Sequence, residues 1–485
     1  MNHPFAVAQR VVGVLLMLFS ATMLLPVLVA LYYGDGEADA FLSGFGITLA
    51  AGFIAWWPAR RIRKEIKLRD AFLVVVLFWA VLGLFGSLPL FLADRPDMTV
   101  TDAVFEGLSG LTTTGATVLT GLDTLPHAVL FWRQLLQWLG GMGIIVLAVA
   151  ILPMLGIGGM QLYRAETPGP IKDSKLTPRI QETAKTLWYL YAGMTVVCAL
   201  VYWFAGMTPF DAVGLAFSSI ATGGFSTHDL SLGHHDDPVI ELAAVFAMLV
   251  GSLNFALHFT AWRTADLRTY WRDAEARTFL TMVVGATALV GAYLLYAGTY
   301  GDPSEAFIKA LFQVVSIGTT TGFTTTDYTL WPAFLPMLLL LGSFVGGCGG
   351  STTGGIKVVR FVLLLKQGLR EITRLIHPNA ELPVKLGGRV MPPHVIEAVW
   401  GFFAAYIGVY VLMFLLLLLT GLDEVSAFSA VAACLNNLGP GLGEVSSNMA
   451  SVTDPGKWLL CLAMLMGRLE IFTLLVIFSP AFWRR

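Results

Sequence analysis

Four short segments each place a glycine among small or polar residues inside an otherwise apolar chain. They read TTTGAT at 112–117, ATGGFSTH at 221–228, TTTGFTTT at 319–326 and NNLGPGLGEV at 436–445. Because glycine carries no Cβ, its backbone can turn carbonyl oxygens toward a common axis. A ring of such oxygens can replace the water shell of a dehydrated ion. The four segments therefore predict coordination of an alkali metal cation by main-chain oxygens.

A helix-start pattern precedes each of these segments, whose central glycines recur at intervals of roughly 100 to 120 residues, as in an internal repeat. The predicted N-cap and N3 pairs are Thr99 with Asp102, Thr208 with Asp211, Asp302 with Glu305, and Gly421 with Glu424. Between each acidic residue and its glycine there is room for a helix of about three turns, roughly 15–20 Å long, which is too short to cross a bilayer. Four such half-helices would direct the negative ends of their dipoles at one interior site and stabilise a cation there.

Long apolar runs flank every half-helix. Hydrophobic residues make up 56% of the chain and charged residues 13%, and runs of about 20 apolar residues can cross a bilayer as helices. The predicted spans are roughly 11–33, 41–59, 71–92, 128–155, 184–205, 238–262, 279–299, 332–356, 394–420 and 457–482. We therefore predict an all-α polytopic membrane protein in which ten crossings return both termini to one side.

The half-helices all start on the same side, so the copies are predicted to be parallel rather than inverted. The expected fold is four helix–pore-loop–helix repeats around a pseudo-fourfold pore, preceded by an N-terminal two-helix hairpin. Predicted boundaries are 1–69 for the hairpin with a basic loop, then 70–160, 161–265, 266–372 and 373–485 for the repeats.

Most of the 30 Lys and Arg residues fall on one side of the predicted spans, including those at 60–69. By the positive-inside rule that side is cytoplasmic, so we expect both termini in the cytoplasm. The basic 60–69 loop could also contact anionic lipid. The net charge of −2 gives no reason to expect nucleic-acid binding. The HHDD run at 234–237 resembles a metal cluster but is interpreted as a solvated outer loop.

A glycine-rich run interrupts the span at 332–356. It comprises Gly346, Gly347, Gly349, Gly350, Ser351, Thr352, Thr353, Gly354 and Gly355, together with Cys348. Each glycine inside a helix costs about 1 kcal/mol relative to alanine, so this stretch is expected to unwind into a flexible polar barrier. The alternative is close helix packing through small residues.

Two arginines lie inside apolar spans and need a partner or water. A charge near the centre of a span, such as Arg468, costs at least about 2.5–3.5 kcal/mol. Pairing of Arg468 with Glu470 is disfavoured because residues two apart face different sides of a helix. Arg133 is expected to reach the surface or to pair with Glu106.

Together, the four glycine segments, GGCGGSTTGGIKV at 346–358 and GRLEIFT at 467–473 resemble the TrkH potassium-uptake subunits of bacteria. These belong to a superfamily that also includes KtrB and plant HKT proteins, and the resemblance covers essentially the whole chain. It implies K⁺ uptake across the bacterial inner membrane by a homodimer with one pore per protomer. It also implies control by a cytoplasmic ring of nucleotide-binding TrkA-type proteins, with K⁺ as the transported ion and no organic cofactor in this chain.

The resemblance also implies roles for individual residues. The K⁺ filter would comprise Thr114, Gly115, Thr222, Gly223, Gly224, Thr321, Gly322, Leu438 and Gly439, with either Thr222 or Gly223 flanking the second glycine. Glycine rather than serine at Gly115 favours K⁺ over Na⁺. The run 346–355 would be the gating loop, and Arg468 would lie beneath the filter and repel K⁺.

The sequence leaves three functional classes to consider. A channel-like K⁺ conduit and a K⁺/H⁺ or K⁺/Na⁺ symporter would share every filter residue, so the sequence does not separate them. A membrane-embedded enzyme is disfavoured, since no HExxH or GxSxG motif is present.

Overall fold

The computed structural model describes residues 5–61, 68–146 and 180–484. Within these residues the regular structure is helical apart from one hairpin, in which strand β1 (Lys385–Leu386) pairs antiparallel with β2 (Arg389–Val390). The longer helices are Ala6–Thr22, Leu24–Tyr33, Ala38–Ala59, Leu68–Gly86, His127–Val146, Ile180–Phe204, Pro238–Ser252, Phe255–Thr264, Ala274–Tyr296, Phe334–Gly342, Val358–Ile376, Pro393–Leu418, Asp454–Arg468 and Phe472–Phe478. Short helices cover Leu88–Leu92, Arg268–Arg272 and Pro480–Trp483.

The four predicted half-helices are present. They are half-helix 1 (Val100–Leu111), half-helix 2 (Pro209–Ile220), half-helix 3 (Pro303–Gly318) and half-helix 4 (Glu424–Leu435). Thr99, Thr208 and Asp302 are the N-caps, and their side-chain oxygens accept backbone N–H groups of the first turn as predicted. The prediction for half-helix 4 was wrong. Asp423, not Gly421, is its N-cap, because the Asp423 carboxylate accepts the N–H groups of Val425 and Ser426.

The half-helices are arranged cyclically. Each packs between the helix before it and the helix after it, as half-helix 1 does between Leu68–Gly86 and His127–Val146. The helix that follows half-helix 1 also packs on half-helix 2, and Pro238–Ser252 packs on half-helix 3. Asp454–Arg468, which follows half-helix 4, packs on half-helix 1 and closes the cycle.

Two partly buried ion pairs reinforce this order. Lys309 of half-helix 3 contacts Glu241 at 2.5 Å, and Lys457 contacts Asp102 of half-helix 1 at 2.6 Å. Each pair joins the helix that follows one half-helix to the next half-helix in the cycle. These two lysines are among the few basic residues that the sequence placed away from the basic side.

The predicted spans are confirmed in part. Six helical segments are long and apolar enough to cross a membrane: Ala6–Tyr33, Ala38–Ala59, Phe72–Leu92, Lys185–Phe204, Ala274–Tyr296 and Pro393–Leu418. The predictions of continuous helices at 238–262 and 457–482 were wrong. The first is bent by 98° between Ser252 and Phe255, and the second by 115° between Arg468 and Phe472.

The remaining two predicted spans differ from the others. In the span at 332–356 only Phe334–Gly342 is helical before the glycine-rich run begins. The span at 128–155 is helical over His127–Val146, and its further course lies outside the described residues. Most of the 60–69 loop and the basic residues at 164–179 also lie outside them. The helix Val358–Ile376 was not predicted.

The first helices form an N-terminal hairpin, in which Ala6–Thr22 packs along Ala38–Ala59. The hairpin contacts the first repeat through Leu68–Gly86 and His127–Val146. The chain is thus an all-α polytopic membrane protein with four parallel repeats and an N-terminal hairpin, as its sequence predicts.

Candidate functional site

The four half-helices end in the same way. Each has a Schellman motif whose left-handed residue is not glycine: Thr113, Thr222, Thr320 and Asn437, with φ of +54°, +50°, +56° and +54°. The next residue donates its N–H to the carbonyl oxygen five residues earlier, at 2.7–2.9 Å in all four copies. The donors are Thr114, Gly223, Thr321 and Leu438. Gly223, rather than Thr222, is therefore the structural counterpart of Thr114, Thr321 and Leu438.

The central glycines meet in a closed cycle, and all four have left-handed φ, between +80° and +98°. A Cβ on Gly115 would overlap the Gly223 carbonyl oxygen. In the same way, a Cβ on Gly224 would overlap Thr321 O, one on Gly322 would overlap Leu438 O, and one on Gly439 would approach Thr114 O. The first loop thus touches the second, the second the third, the third the fourth, and the fourth the first. Four loops can make such contacts only if they surround one axis.

The fourth loop fits less tightly than the others. A Cβ on Gly439 would lie 3.0 Å from Thr114 O, whereas the other three positions would overlap an oxygen. This loop carries Pro440 and lacks threonine, but the Asn437 amide compensates by donating to Thr114 Oγ1 at 2.9 Å and to Met464 O at 3.0 Å. A side-chain amide thus joins the fourth loop to the first.

A cavity of about 460 Å³, here called the vestibule, opens onto all four central glycines. Its wall is formed by residues at and after these glycines in every repeat, including His228, Asp327 and Asn448. All four loops are therefore accessible from the vestibule, on the same side.

The glycine-rich loop (346–355) contacts three of the four repeats at residues that precede the central glycines. Thr352 Oγ1 donates to Ile220 O at 3.2 Å and lies 3.0 Å from Thr222 Oγ1. The N–H of Gly354 donates to Thr320 Oγ1 at 2.8 Å, and the N–H of Gly355 donates to Asn436 O at 3.2 Å. The loop therefore touches repeats two, three and four on the side opposite the vestibule.

Arg468 connects this loop to the first repeat. Its guanidinium donates to Thr352 O at 2.8 Å and to Gly140 O at 3.3 Å. Gly140 lies against the end of half-helix 1, since a Cβ there would overlap Leu111 O. Between them, Arg468 and the glycine-rich loop contact all four repeats.

The alternative partner for Arg468 is engaged elsewhere. Glu470 forms an ion pair with Arg360 at 2.5 Å, and among the described residues Arg468 has no carboxylate within 4.0 Å. Arg468 is 6% exposed and its Nε has no hydrogen-bond partner within the described part of the chain. The structure thus holds a buried cation next to the glycine-rich loop, contacted by two carbonyl oxygens and lying 5.2 Å from the centroid of the Trp79 ring.

The other intramembrane arginine pairs as expected. Arg133 Nε donates to Glu106 at 2.7 Å, and both side chains are almost fully buried. Glu106 also accepts the Thr117 hydroxyl at 2.9 Å and the Val118 N–H at 3.1 Å, just after Gly115. The pair therefore holds the first loop in place.

Two supporting residues were not identified from the sequence. Gln137 donates to Gly223 O at 2.7 Å and accepts the N–H of Phe225 at 3.1 Å, so its amide spans the second central glycine. Glu275 accepts the N–H groups of Gly349 at 2.7 Å and Val359 at 3.2 Å, one within the glycine-rich loop and one in the helix that follows it. The sequence did contain a signal for Gln137, because a glutamine in the middle of an apolar run needs a hydrogen-bond partner. Glu275 gave no such signal, because it lies in the first turn of a helix, where acidic residues are common.

Four parallel repeats around a common axis, with loops that meet at backbone carbonyls, define a pore-type membrane protein. The family model for TrkH, described as a cation transport protein, matches residues 37–485, and the chain belongs to this family. It is 58% identical over 477 residues to the Trk system potassium uptake protein TrkH of Vibrio parahaemolyticus, with 98% of each chain covered. It is 41% identical over 478 residues to the Trk system potassium uptake protein TrkG of Escherichia coli, with 99% of this chain and 98% of that one covered. The crystal structure of the potassium transporter TrkH from Vibrio parahaemolyticus superposes with a TM-score of 0.92 at 55% identity, over 100% of both chains.

Proposed function

We propose that this protein takes up K⁺ through a channel-like pore along the axis of the four repeats. The carrying observation is the closed cycle of contacts between the central glycines and the carbonyl oxygens of the neighbouring loops. The relatives named above as potassium uptake proteins support K⁺ as the ion. Backbone carbonyls satisfy a dehydrated cation without a fixed negative charge.

The proposed filter consists of the four central glycines and the residues directly before them. Thr114, Gly223, Thr321 and Leu438 contribute the carbonyls, each of which lies against the central glycine of the preceding repeat in the cycle, and Gly115, Gly224, Gly322 and Gly439 allow the left-handed turns. Thr222 acts one position earlier, as the left-handed end of half-helix 2. Because only one glycine is shared by all four repeats, we expect Rb⁺ to be admitted and Na⁺ to be disfavoured.

The proposed gate is the glycine-rich loop together with Arg468. The loop crosses the pathway on the side opposite the vestibule, and Arg468 adds a positive charge next to it. A cation leaving the filter meets both the backbone of the loop and this charge. Opening requires the loop to move away from Ile220, Thr320 and Asn436.

The basic loops set the proposed orientation in the bacterial inner membrane, with both termini in the cytoplasm. The relatives are named as parts of a Trk system, which supports association with other components of such a system. In this proposal the chain forms a homodimer controlled by a cytoplasmic TrkA-type nucleotide-binding ring. A pull-down from native membranes with the tagged full-length chain tests this partnership. Absence of any nucleotide-binding protein among the captured partners would contradict it.

Transport itself is tested with the purified protein in proteoliposomes. We expect ⁸⁶Rb⁺ uptake that K⁺ inhibits strongly and Na⁺ weakly, with a reversal potential that follows the K⁺ gradient alone. A reversal potential that shifts with an imposed pH or Na⁺ gradient would instead support the K⁺/H⁺ or K⁺/Na⁺ symporter. Absence of K⁺-sensitive uptake would reject both forms of the proposal.

A further inference from the structure

A cluster of histidines and carboxylates, not evident from the linear sequence, reaches the vestibule wall at His228. The structure brings His228, which follows the second loop, next to His235 and to Asp211 of half-helix 2. The ligand atoms of these three residues all lie within 4.8 Å of one another. The sequence interpretation considered only the run at 234–237, but Asp236 and Asp237 are not part of this cluster.

The spacing within the cluster fits a small metal ion. Ligand atoms bound about 2.0–2.1 Å from a tetrahedral zinc ion lie about 3.3–3.4 Å from each other. The distance from His228 Nε2 to Asp211 Oδ1 is 3.4 Å. His235 supplies the third ligand atom, which lies within 4.8 Å of the other two.

The Nε2 atoms of the two histidines are incompletely satisfied. Both are buried and neither makes a hydrogen bond within the described part of the chain, and His228 Nε2 has the Asp211 carboxylate as an ion-pair contact at 3.4 Å. Buried polar atoms normally have a partner, because leaving one unpaired costs about 1–3 kcal/mol. A metal ion between them would satisfy both.

The other nitrogen of His228 is already oriented. His228 Nδ1 contacts the Asp123 carboxylate. A neutral ring that donates its proton from Nδ1 to this carboxylate presents the Nε2 lone pair to a metal. Metal-binding histidines are usually held by such a carboxylate. Asp211 is held as well, since its Oδ1 accepts the Thr227 hydroxyl at 2.7 Å and its Oδ2 accepts that of Thr208 at 2.7 Å.

An overlapping group of Asp123, His228 and His234 is less suited to a metal. Asp123 already binds His228, and the His234 ring stacks on the His228 ring with centroids 3.6 Å apart and planes 3° from parallel. Stacked rings direct their nitrogen lone pairs side by side rather than toward one point. His234 is therefore the natural control residue.

We propose that Asp211, His228 and His235 bind a divalent transition metal of the zinc class, and that the bound metal inhibits cation entry. Two imidazoles and one carboxylate, with a fourth position open to water, form a zinc-type ligand set, whereas Ca²⁺ and Mg²⁺ prefer oxygen ligands. His228 lines the vestibule that opens onto the four central glycines. A divalent charge at its wall repels arriving monovalent cations. The inhibition, but not the binding, depends on the proposed transport function.

Binding is measured first, on the full-length protein in detergent, by calorimetry with Zn²⁺ and by the visible absorption of added Co²⁺. We expect one metal ion per chain and a tetrahedral Co²⁺ spectrum. His235→Ala and His228→Ala should each weaken binding by at least about tenfold, since even the residues that orient metal ligands are worth about 10–100-fold. His234→Ala should bind as the wild type does.

Inhibition is measured next, as ⁸⁶Rb⁺ uptake into proteoliposomes with and without external Zn²⁺. Wild type and His234→Ala should be inhibited, and His235→Ala should transport normally without metal but resist Zn²⁺. Failure of the wild type to bind Zn²⁺ would leave His228 as an ion-pair partner of the two aspartates and overturn the proposal. Equal loss of binding in His234→Ala and His235→Ala would overturn this choice of ligands, and binding without inhibition would overturn the regulatory role. Absence of metal-free uptake would instead reject the proposed function and leave the binding result unaffected.

Discussion

The Arg468 guanidinium donates a hydrogen bond to the Thr352 carbonyl oxygen at 2.8 Å, and this contact joins the last repeat to the glycine-rich loop. Thr352 in turn touches the end of half-helix 2 through its hydroxyl. One buried cation thus helps to keep the loop against the re-entrant segments of repeats two, three and four. If the loop is the gate, Arg468 contributes to closure both by its charge and by this hydrogen bond.

Replacing Arg468 separates these two contributions. Arg468→Ala removes both and should raise K⁺ or ⁸⁶Rb⁺ flux in the absence of any regulatory partner. Arg468→Lys keeps the charge but lacks the forked guanidinium that reaches both Thr352 O and Gly140 O. Its flux should therefore lie between that of the wild type and that of Arg468→Ala. Flux is compared in proteoliposomes at equal protein, with the surface variant Arg374→Ala as the control. A folded Arg468→Ala protein that leaks no more than wild type would reject the role.

Gly115→Ser tests the filter. Its Cβ would overlap the Gly223 carbonyl oxygen in a left-handed conformation that serine rarely adopts, so the ring must distort. We expect the preference for Rb⁺ over Na⁺ to fall. Gly439→Ala should have a milder effect, because its Cβ would lie 3.0 Å from the nearest oxygen. Competition uptake with K⁺, Rb⁺ and Na⁺ measures both, and an unchanged ion preference in Gly115→Ser would contradict the filter assignment.

Glu275→Ala tests what holds the glycine-rich loop in place. The substitution leaves the buried N–H groups of Gly349 and Val359 without an acceptor, at a cost of about 1–3 kcal/mol each. The loop should become more mobile, with higher ungated flux and faster amide exchange over 346–355. Glu275→Gln retains the carbonyl oxygen that can accept both groups and should behave nearly as wild type. Equal exchange rates in the alanine and glutamine variants would count against this anchoring role.

Arg133→Met tests the buried pair with Glu106. Removing one partner of a buried ion pair costs about 3–5 kcal/mol because the other charge is left unpaired. We expect a corresponding loss in the free energy of unfolding, measured by detergent denaturation, and weaker ion selectivity because Glu106 also binds Thr117. The double variant Arg133→Met with Glu106→Gln should recover much of the stability. No recovery in the double variant would show that Arg133 stabilises the fold by packing alone.

The local features of this fold could be predicted from the sequence. Thr99, Thr208 and Asp302 cap their helices through side chains only two or three residues away, so the starts of three half-helices are encoded locally. The positions of the central glycines and the apolar character of the spans are equally local. The membrane class, the four repeats and the glycine-rich interruption follow from them.

Contacts between distant segments decided the rest. The helix at 238–252 breaks because the glycine-rich loop, about 100 residues away, supplies partners for the freed backbone: Ser252 O accepts the N–H of Cys348, and the N–H of Phe255 donates to Gly350 O. A hydropathy pattern carries no information about such distant partners, so it predicted a continuous helix at 238–262. The choice of Arg360 rather than Arg468 for Glu470, and the gathering of His228, His235 and Asp211, likewise depend on how segments far apart in the chain pack together. Sequence determined which groups must find partners inside the membrane, and only the tertiary structure determined which partners they found.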